Sequence, residues 1–311
     1  MKTVFYIDGG AGRVIAAIPA LLKYHKLNPH NDWCVVVPSW HYLYWGIAEL
    51  QDRVYDSDNK GLFENLILRA DRLITPEPYR LPSYYRQEIS LIQAFDREIN
   101  QTVDHADLVQ PVLKFNKAET RWAKNVLMSA AEQQGKSKTI VFQPFGRGAR
   151  IDSGEVIDDG NRSLSADAYI ILAKKLSVRY NLIFMGEPEY QISTDTYSHK
   201  MPLGTDLRMW AAVLDQADYL VGIDSVAQHM ARAVNTPGTV IFGSTFPANT
   251  SYTDWFQIIE KPGQKKYSPI RIAGLDSQLA DRLNDSCMDF DQEQLNKIYQ
   301  QIVNHIQAVV K

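Results

Sequence analysis

The segment from Val221 to Pro247, "VGIDSVAQHMARAVNTPGTVIFGSTFP", contains the pattern that decides the fold. An apolar run ends in an acid and a hydroxyl residue, a short helical stretch follows, and a second apolar run ends in a Gly/Ser/Thr loop. Strand, helix and strand in this order predict a parallel βαβ unit. Ligands of such sheets bind beyond the carboxyl ends of the strands. Asp224, Ser225, Gly243, Ser244 and Thr245 are therefore candidate site residues.

The same alternation occurs elsewhere in the chain. Near the N-terminus, "TVFYIDGGAGRVIAAIPALLKYHKLNP" and "DWCVVVPSW" predict strand, helix and strand, and after "QQGKSK" three further α/β repeats follow. We therefore predict an α/β protein with two Rossmann-like, doubly wound parallel-sheet domains that face a cleft. The expected boundaries are 1–136 for the first domain and 137–285 for the second. A C-terminal helix within 286–311 is expected to pack back across the junction.

Composition narrows the class of protein. The chain has 311 residues, of which 45% are hydrophobic and 22% charged, as in a soluble globular protein of two domains. A formal net charge of -3 argues against general affinity for nucleic acid, although a local basic patch is compatible with it. No apolar run approaches the roughly 18 residues of a membrane span. Cys34 and Cys287 fit neither a zinc site nor a disulfide framework. We expect a cytoplasmic protein, bacterial or in the host cytoplasm if viral.

Charged residues follow other predicted strands. Arg147 and Arg150 lie in the loop "GRGAR", where a guanidinium can bond two phosphate oxygens at once. Arg162 precedes a helix whose N-terminal dipole disfavours a cation unless an anion is bound. Glu187 follows a strand in "MGEPEY", where a carboxylate can accept both hydroxyls of a ribose. Together they predict a nucleoside-diphosphate site, the alternatives being solvated loops and, at Asp224 and Ser225, a helix cap.

The loop after the first predicted strand, "DGGAGR", has its glycines at 9, 10 and 12. This spacing does not follow G-x-G-x-x-G, so NAD binding is not predicted. Gly9, Gly10 and Gly12 instead suit the close approach of an acceptor, with Asp8 as the nearby carboxylate, either catalytic or merely stabilising the loop. His229 is expected to pack or hydrogen-bond, and "DDG" at 158–160 to form a loop. No metal and no cofactor are predicted.

These residues together resemble the ADP-heptose:lipopolysaccharide heptosyltransferase-like family, that is, glycosyltransferase family 9, as a divergent member. The resemblance is carried by 221–247, by "GGAGRVIAAIPALLKYHKLNPHNDWCVVVP", by Arg162 before "SLSADAY", and by "MGEPEY". It implies a metal-independent GT-B glycosyltransferase with the nucleotide sugar in the C-terminal domain and the acceptor facing the N-terminal one. It further implies that Asp224 and 243–245 hold the diphosphate region, that Arg162 neutralises it and that Glu187 holds the ribose.

One departure from the family concerns the first loop. The family has an acid directly after the glycine, as general base on the acceptor hydroxyl, whereas this chain has Arg13. Asp8 is a candidate substitute, and Arg13 is a candidate for binding an anionic acceptor or the donor phosphates. The Trp-Pro pair expected after Arg162 is also replaced, by Ser163 and Leu164. Heptose and lipopolysaccharide are therefore not assumed.

The predicted function is transfer of a sugar from a nucleoside-diphosphate sugar donor to an acceptor hydroxyl. The acceptor is either a saccharide or lipid-linked glycan, or a hydroxymethylated base of virus DNA. The aromatic segments "PSWHYLYWG" and "PEPYRLPSYYR" could stack on either, and "KPGQKKYSPIR" is a local basic strip. Alternatives of another class are a nucleotide-sugar epimerase and a non-catalytic sugar-nucleotide-binding protein. The oligomeric state stays open.

Overall fold

The computed structural model describes residues 2–152, 155–186, 199–201, 204–261, 263–264, 266 and 288–310. These residues form two compact units, one up to Asn116 and the other from Lys117 onward. Each unit has its own parallel sheet. The predicted fold class, α/β with parallel sheets, is confirmed.

The first unit contains a four-stranded parallel sheet with the order β3-β2-β1-β4. Its elements are β1 (Lys2–Tyr6), α1 (Ala11–Leu27), β2 (Asp32–Val36), β3 (Val54–Tyr55), β4 (Arg72–Ile74), α2 (Pro82–Tyr85) and α3 (Leu91–Asn100). Short 3-10 turns lie at His41–Tyr44, Ala48–Leu50 and Pro78–Arg80, and a π-helical turn at Phe63–Ile67.

Helices α1 and α3 pack on each other in this unit. α1 is buried along most of its length, which explains its nearly continuous apolar sequence. α3 was not predicted, although Ser90 and Gln93 form a capping box at its start and Leu91, Phe95 and Ile99 recur along one buried face. The predicted strand, helix and strand at the N-terminus are confirmed as β1, α1 and β2.

The second unit contains a six-stranded parallel sheet with the order β12-β11-β10-β5-β8-β9, and β6 and β7 form a separate antiparallel pair. Its elements are α4 (Lys117–Gln134), β5 (Thr139–Phe142), β6 (Arg150–Asp152), β7 (Glu155–Ile157), α5 (Ala166–Ser177), β8 (Asn181–Phe184), β9 (His199–Lys200), α6 (Leu207–Gln216), β10 (Tyr219–Ile223), α7 (Val226–Ala233), β11 (Gly238–Phe242), α8 (Pro247–Thr250), β12 (Gln257–Glu260) and α9 (Gln292–Val309).

Helices cover both faces of this second sheet. All residues of β5, β8, β10 and β11 are buried, as expected when both faces of a parallel sheet are packed. On one face, α5 and α9 share a core with alternate residues of these strands, such as Phe142, Phe184 and Val221. α4 contacts β5, β8 and α6. The central strands therefore have no face open to a ligand, and chemistry has to lie at their ends.

The end of the first unit and the C-terminal helix can be compared with the predicted boundaries. The first unit ends at Asn116 rather than at the predicted residue 136, and α4 belongs to the second unit, where it packs on β5, β8 and α6. α9 confirms the predicted C-terminal helix, and Leu295, Ile302 and Ile306 are buried in the core of the second unit. Its packing across the junction stays a prediction.

Candidate functional site

The loops that follow β5, β10 and β11 form the candidate donor site. β10 pairs with β5 on one side and with β11 on the other, so the carboxyl ends of these three strands are neighbours. The sequence places Asp224 after β10 and Thr245 after β11, and the structure brings both together. This is the edge of the sheet where ligands of doubly wound folds bind.

Asp224 connects two of these loops. Its side chain is buried, and its Oδ2 accepts a hydrogen bond of 2.6 Å from the Thr245 hydroxyl. Its Oδ1 accepts a hydrogen bond of 2.9 Å from the Gln228 side-chain amide, on the first turn of α7. A buried carboxylate would also repel a phosphate at short range. Asp224 is therefore placed to hold the ends of β10 and β11 in register, and its role in the diphosphate region stays a prediction.

Ser225 begins α7 but does not cap it in the expected way. Among the described residues, its side chain makes no capping hydrogen bond to the helix. Instead, Gln143 after β5 accepts a hydrogen bond of 3.2 Å from the Ala227 backbone N–H through its side-chain oxygen. The alternative of an ordinary helix cap is therefore not met by the Ser225 side chain.

Arg162 is a cation that reaches the loop after β10. Its Nη1 donates to the backbone carbonyl of Asp224 at 3.1 Å, and its Nη2 lies 3.9 Å from the position that a Cβ on Gly146 would occupy. Within the part of the chain that the structure describes, its buried Nε has no hydrogen-bond partner. The guanidinium is thus fixed between the ends of β5 and β10 with hydrogen-bonding capacity left over.

His229, which is on α7, lies near Arg162. It is buried, and its Nδ1 lies 2.8 Å from the Tyr252 hydroxyl. Burial, and then the positive charge of Arg162, lowers the pKa of His229 to about 4. A neutral, hydrogen-bonded imidazole agrees with the packing role that was predicted for it.

The loop after β11 is held by close contacts. Ser244 is fully buried, and its hydroxyl donates to the carbonyl of Gly160 at 2.7 Å. A Cβ on Gly243 would lie 2.5 Å from the carbonyl oxygen of Asn161, so glycine is required there. The Lys266 ammonium also contacts this loop, 3.4 Å from the carbonyl of Thr245. The loop therefore keeps one shape.

Asp158 organises the loop that ends in Arg162. Its carboxylate accepts hydrogen bonds from the backbone N–H of Gly160 at 2.9 Å and of Ser163 at 3.0 Å, and from the Ser163 hydroxyl at 2.6 Å. The Ser163 hydroxyl oxygen in turn accepts a hydrogen bond of 2.9 Å from the Gly146 N–H. The predicted loop role of "DDG" is confirmed.

Other predicted donor residues have less defined positions. Arg147 is exposed in the turn after β5. Arg150 is exposed on β6 and pairs with Asp159 at 3.0 Å. An exposed ion pair of this kind is easily rearranged, so both arginines remain candidates. Glu187 lies outside the described residues, and its ribose-binding role stays a prediction.

The first unit places the predicted acceptor-side residues at the carboxyl end of β1. Asp8 is exposed, and its Oδ1 accepts a hydrogen bond of 2.5 Å from the Gly9 N–H. Gly9 has a φ of 100°, which requires glycine. Gly10 is the first residue before α1, and Gly12 is already within the helix, so the loop is shorter than predicted. Asp8 is consequently the acidic side chain that this loop presents to solvent.

Arg13 forms an ion pair within the first unit. Its side chain is buried on α1, and its Nη1 donates to Glu77 at 3.0 and 3.2 Å. Its guanidinium lies over the Tyr79 ring, 4.7 Å from the centroid. The charge of Arg13 is balanced by Glu77 inside the first unit, and binding of an acceptor or a phosphate by Arg13 stays a prediction. Glu77 was missed, although an acid directly after a predicted strand, in "TPEP", was a usable signal.

Three further features of the described residues bear on the site. No group of three or more His, Cys, Asp or Glu side chains is placed to hold a metal ion. None of the described helices combines the length and apolar character that crossing a membrane requires.

A cavity of about 360 Å³ near Lys2, Asp32 and Arg53 lies at the amino ends of the strands of the first sheet, away from the edge where ligands bind. The predicted cytoplasmic location stays a prediction.

The comparisons with known proteins first define the class of fold. The chain is similar to E. coli ADP-heptose lps heptosyltransferase II, with 14% identity, a TM-score of 0.70 and 99% of both chains covered. It is similar to a glycosyl transferase family 9 protein from Veillonella parvula, with 13% identity, a TM-score of 0.69 and coverage of 98% and 97%. A third structure is E. coli heptosyltransferase WaaC with ADP-2-deoxy-2-fluoro heptose, with 13% identity, a TM-score of 0.56 and coverage of 98% and 100%. These likenesses show the GT-B fold.

The family comparison is more specific. Residues 197–266, within the second unit, match the model of glycosyltransferase family 9 (heptosyltransferase). No curated protein matches the chain. The resemblance that the sequence predicted is confirmed by this match. The matched segment includes Asp224 and Thr245, the two residues that the structure joins.

Proposed function

We propose that the chain transfers a sugar from a nucleoside-diphosphate sugar, bound at the carboxyl edge of the second sheet, to an acceptor hydroxyl. The observation that carries this proposal is the placement of Arg162. Its guanidinium is fixed by the carbonyl of Asp224, beside the start of α7, and keeps a buried Nε without a partner among the described residues. A cation next to a helix N-terminus is a combination that favours binding of a diphosphate.

The bond changes follow from this arrangement. The bond between the sugar C1 and the diphosphate oxygen breaks, and the acceptor oxygen bonds to C1. Negative charge develops on the departing diphosphate, so the preorganised guanidinium of Arg162 and those backbone N–H groups at the start of α7 that do not donate to Gln143 lower the barrier. Arg147, Arg150 and the Ser225 hydroxyl are further candidates for phosphate oxygens.

The proton of the acceptor hydroxyl needs a base. We assign this role to Asp8, because it is exposed at the end of β1 and its Oδ2 is not involved in the bond to Gly9. Glu77 is a poorer candidate, since both its oxygens accept from Arg13 and Oε1 also accepts from the Tyr79 N–H. No metal ion is part of the proposed mechanism.

For the donor, we propose an adenosine-diphosphate sugar first, because a structural neighbour is described with an ADP-heptose analogue. The test is incubation of the protein with ADP-heptose, UDP-glucose and GDP-mannose in the absence of acceptor, followed by chromatography of the nucleotide products. Slow release of one nucleoside diphosphate is expected from the wild type. It should be lost in Asp8→Asn, whose binding of the same diphosphate should be unchanged.

Other outcomes contradict the proposal. An isomerised sugar nucleotide would indicate an epimerase. Diphosphate binding without turnover of any donor, also in the presence of acceptor sugars, would indicate a binding protein. Full turnover by Asp8→Asn would remove Asp8 from the mechanism and leave the donor site intact.

A further inference from the structure

A group of aromatic side chains follows β2 in the first unit. Trp40, His41, Tyr42 and Trp45, here called the aromatic patch, come directly after the carboxyl end of that strand. Ring centroids are 6.3 Å apart for Trp40 and Tyr42, 6.3 Å for Tyr42 and Trp45, and 5.7 Å for His41 and Trp45. Trp45 is 56% exposed. An indole so exposed, on a turn ordered by neighbouring rings, offers a flat apolar face to solvent.

Carboxylates lie at the same edge of the sheet. Asp56 follows β3, and its Oδ2 lies 3.3 Å from the His41 Nδ1. Burial, and then the negative charges of Asp8, Asp56 and Asp58, raises the pKa of the Tyr6 hydroxyl, so all three carboxylates lie near the end of β1. The aromatic patch and these acids therefore share the edge where the acceptor base Asp8 is located.

We propose that the aromatic patch binds the acceptor and that this acceptor is an uncharged saccharide. The inference rests on the proposed glycosyltransferase function and adds the class of acceptor. A sugar ring has a face of C–H groups that packs on an indole or phenol ring, and hydroxyls around its rim that donate to carboxylates. Aromatic faces next to Asp56 and Asp58 provide both kinds of contact.

The charged groups near the aromatic patch favour a neutral sugar over a nucleic acid as its ligand. Single-stranded DNA also stacks on aromatic side chains, but its binding sites combine them with a positive groove that follows the phosphates. Among the described residues, the charged groups that act on Tyr6 and that pair with His41 are carboxylates, which repel phosphate. The same argument disfavours a heavily phosphorylated glycan. The aromatic patch fits a neutral sugar, and DNA becomes an outcome of the test.

The test compares two exposed aromatic side chains of the first unit. Trp45→Ala removes the outermost ring of the patch, and Phe63→Ala removes a ring that is 60% exposed outside it. Binding of each variant to an array of neutral oligosaccharides, and to a single-stranded oligodeoxynucleotide, is measured together with binding of ADP. Tyr42→Ala is the second patch variant, and Asp56→Asn tests the carboxylate.

The wild type should bind at least one neutral glycan, and Trp45→Ala should weaken that binding by about tenfold, which corresponds to about 1.4 kcal/mol. Phe63→Ala should have no effect, and ADP should bind all variants equally. The inference is overturned if no neutral glycan binds, if Trp45→Ala behaves like Phe63→Ala, or if the oligodeoxynucleotide binds in a Trp45-dependent way. Failure of the wild type to bind any nucleoside diphosphate would instead contradict the proposed function.

Discussion

Replacing Thr245 with valine tests the link between the ends of β10 and β11. Valine keeps the shape of threonine but removes the hydroxyl that donates to Asp224 Oδ2 at 2.6 Å. The bond from Gln228, at 2.9 Å, is retained, and the carboxylate stays buried, since Asp224 is 6% exposed and Thr245 1% exposed. Losing a hydrogen bond to a buried charge costs about 2 kcal/mol. We expect Thr245→Val to lower the free energy of unfolding of the second unit by about this amount.

The matched control is Ser244→Ala, the neighbouring residue. It removes a hydrogen bond of 2.7 Å to the neutral carbonyl of Gly160, from a side chain that is fully buried. The expected cost is about 1 kcal/mol, because no charge is involved. Urea unfolding of each variant, followed through hydrogen exchange of the β10 amides, reports the second unit separately from the first.

A double-mutant cycle with Asp224→Asn completes this experiment. The coupling between Thr245→Val and Asp224→Asn should exceed about 0.5 kcal/mol, since the two side chains are in direct contact. Equal costs for Thr245→Val and Ser244→Ala, together with additive effects in the cycle, would refute the assignment of Asp224 as the residue that holds the two loops in register.

Three further predictions concern other parts of the molecule. The pKa of His229 is lowered from 6.5 to about 4, so between these pH values only the unfolded chain takes up a proton at this residue. The free energy of unfolding should therefore fall as the pH drops through this window, by at most about 3 kcal/mol, and it should fall less in His229→Gln. Urea titrations at several pH values would show this difference. Glu77→Gln should lower the free energy of unfolding by about 3 kcal/mol, because it leaves the buried charge of Arg13 unbalanced. The double variant Arg13→Met with Glu77→Leu should recover most of this loss in thermal unfolding. If Glu77→Gln were as stable as the wild type, the ion pair would not have the stabilising role assigned to it. Gly243→Ala should destabilise the second unit by about 2 kcal/mol and weaken ADP binding, because its Cβ would lie 2.5 Å from the Asn161 carbonyl oxygen. Gly10→Ala should be tolerated, because its Cβ would have no atom within 4 Å. Equal urea midpoints for the two variants would contradict this prediction.

The donor half of the site was largely predictable from the sequence. Strands end where apolar runs end, and parallel strands bring their carboxyl ends to one edge, so Asp224 and Thr245 were expected at one place before the structure showed their hydrogen bond. Arg162 was singled out because a cation before a helix is unfavourable without a partner. The structure supplies part of that partner, the carbonyl of Asp224.

What the sequence could not show are contacts between residues far apart in the chain. Arg13 and Glu77 are separated by 64 positions, and nothing local to either one indicates a buried ion pair. The helix-cap alternative failed at Ser225 for the same reason, because the Ala227 backbone N–H donates to Gln143, on a different strand end. The boundary was misplaced because a helix next to a glycine gives no indication of which sheet it packs on.

Binding of ADP, measured by titration calorimetry on the wild type, Arg162→Met and Arg179→Met, tests the donor site most directly. Arg179 is an exposed arginine just before β8, at the amino end of the second sheet, and is the matched control for loss of one positive charge. The account predicts that Arg162→Met weakens ADP binding by at least about tenfold, the effect of losing one charge-assisted contact, while Arg179→Met binds like the wild type. Equal affinities for the two variants, or a wild type that binds no nucleoside diphosphate, would contradict a donor site at the ends of β5, β10 and β11.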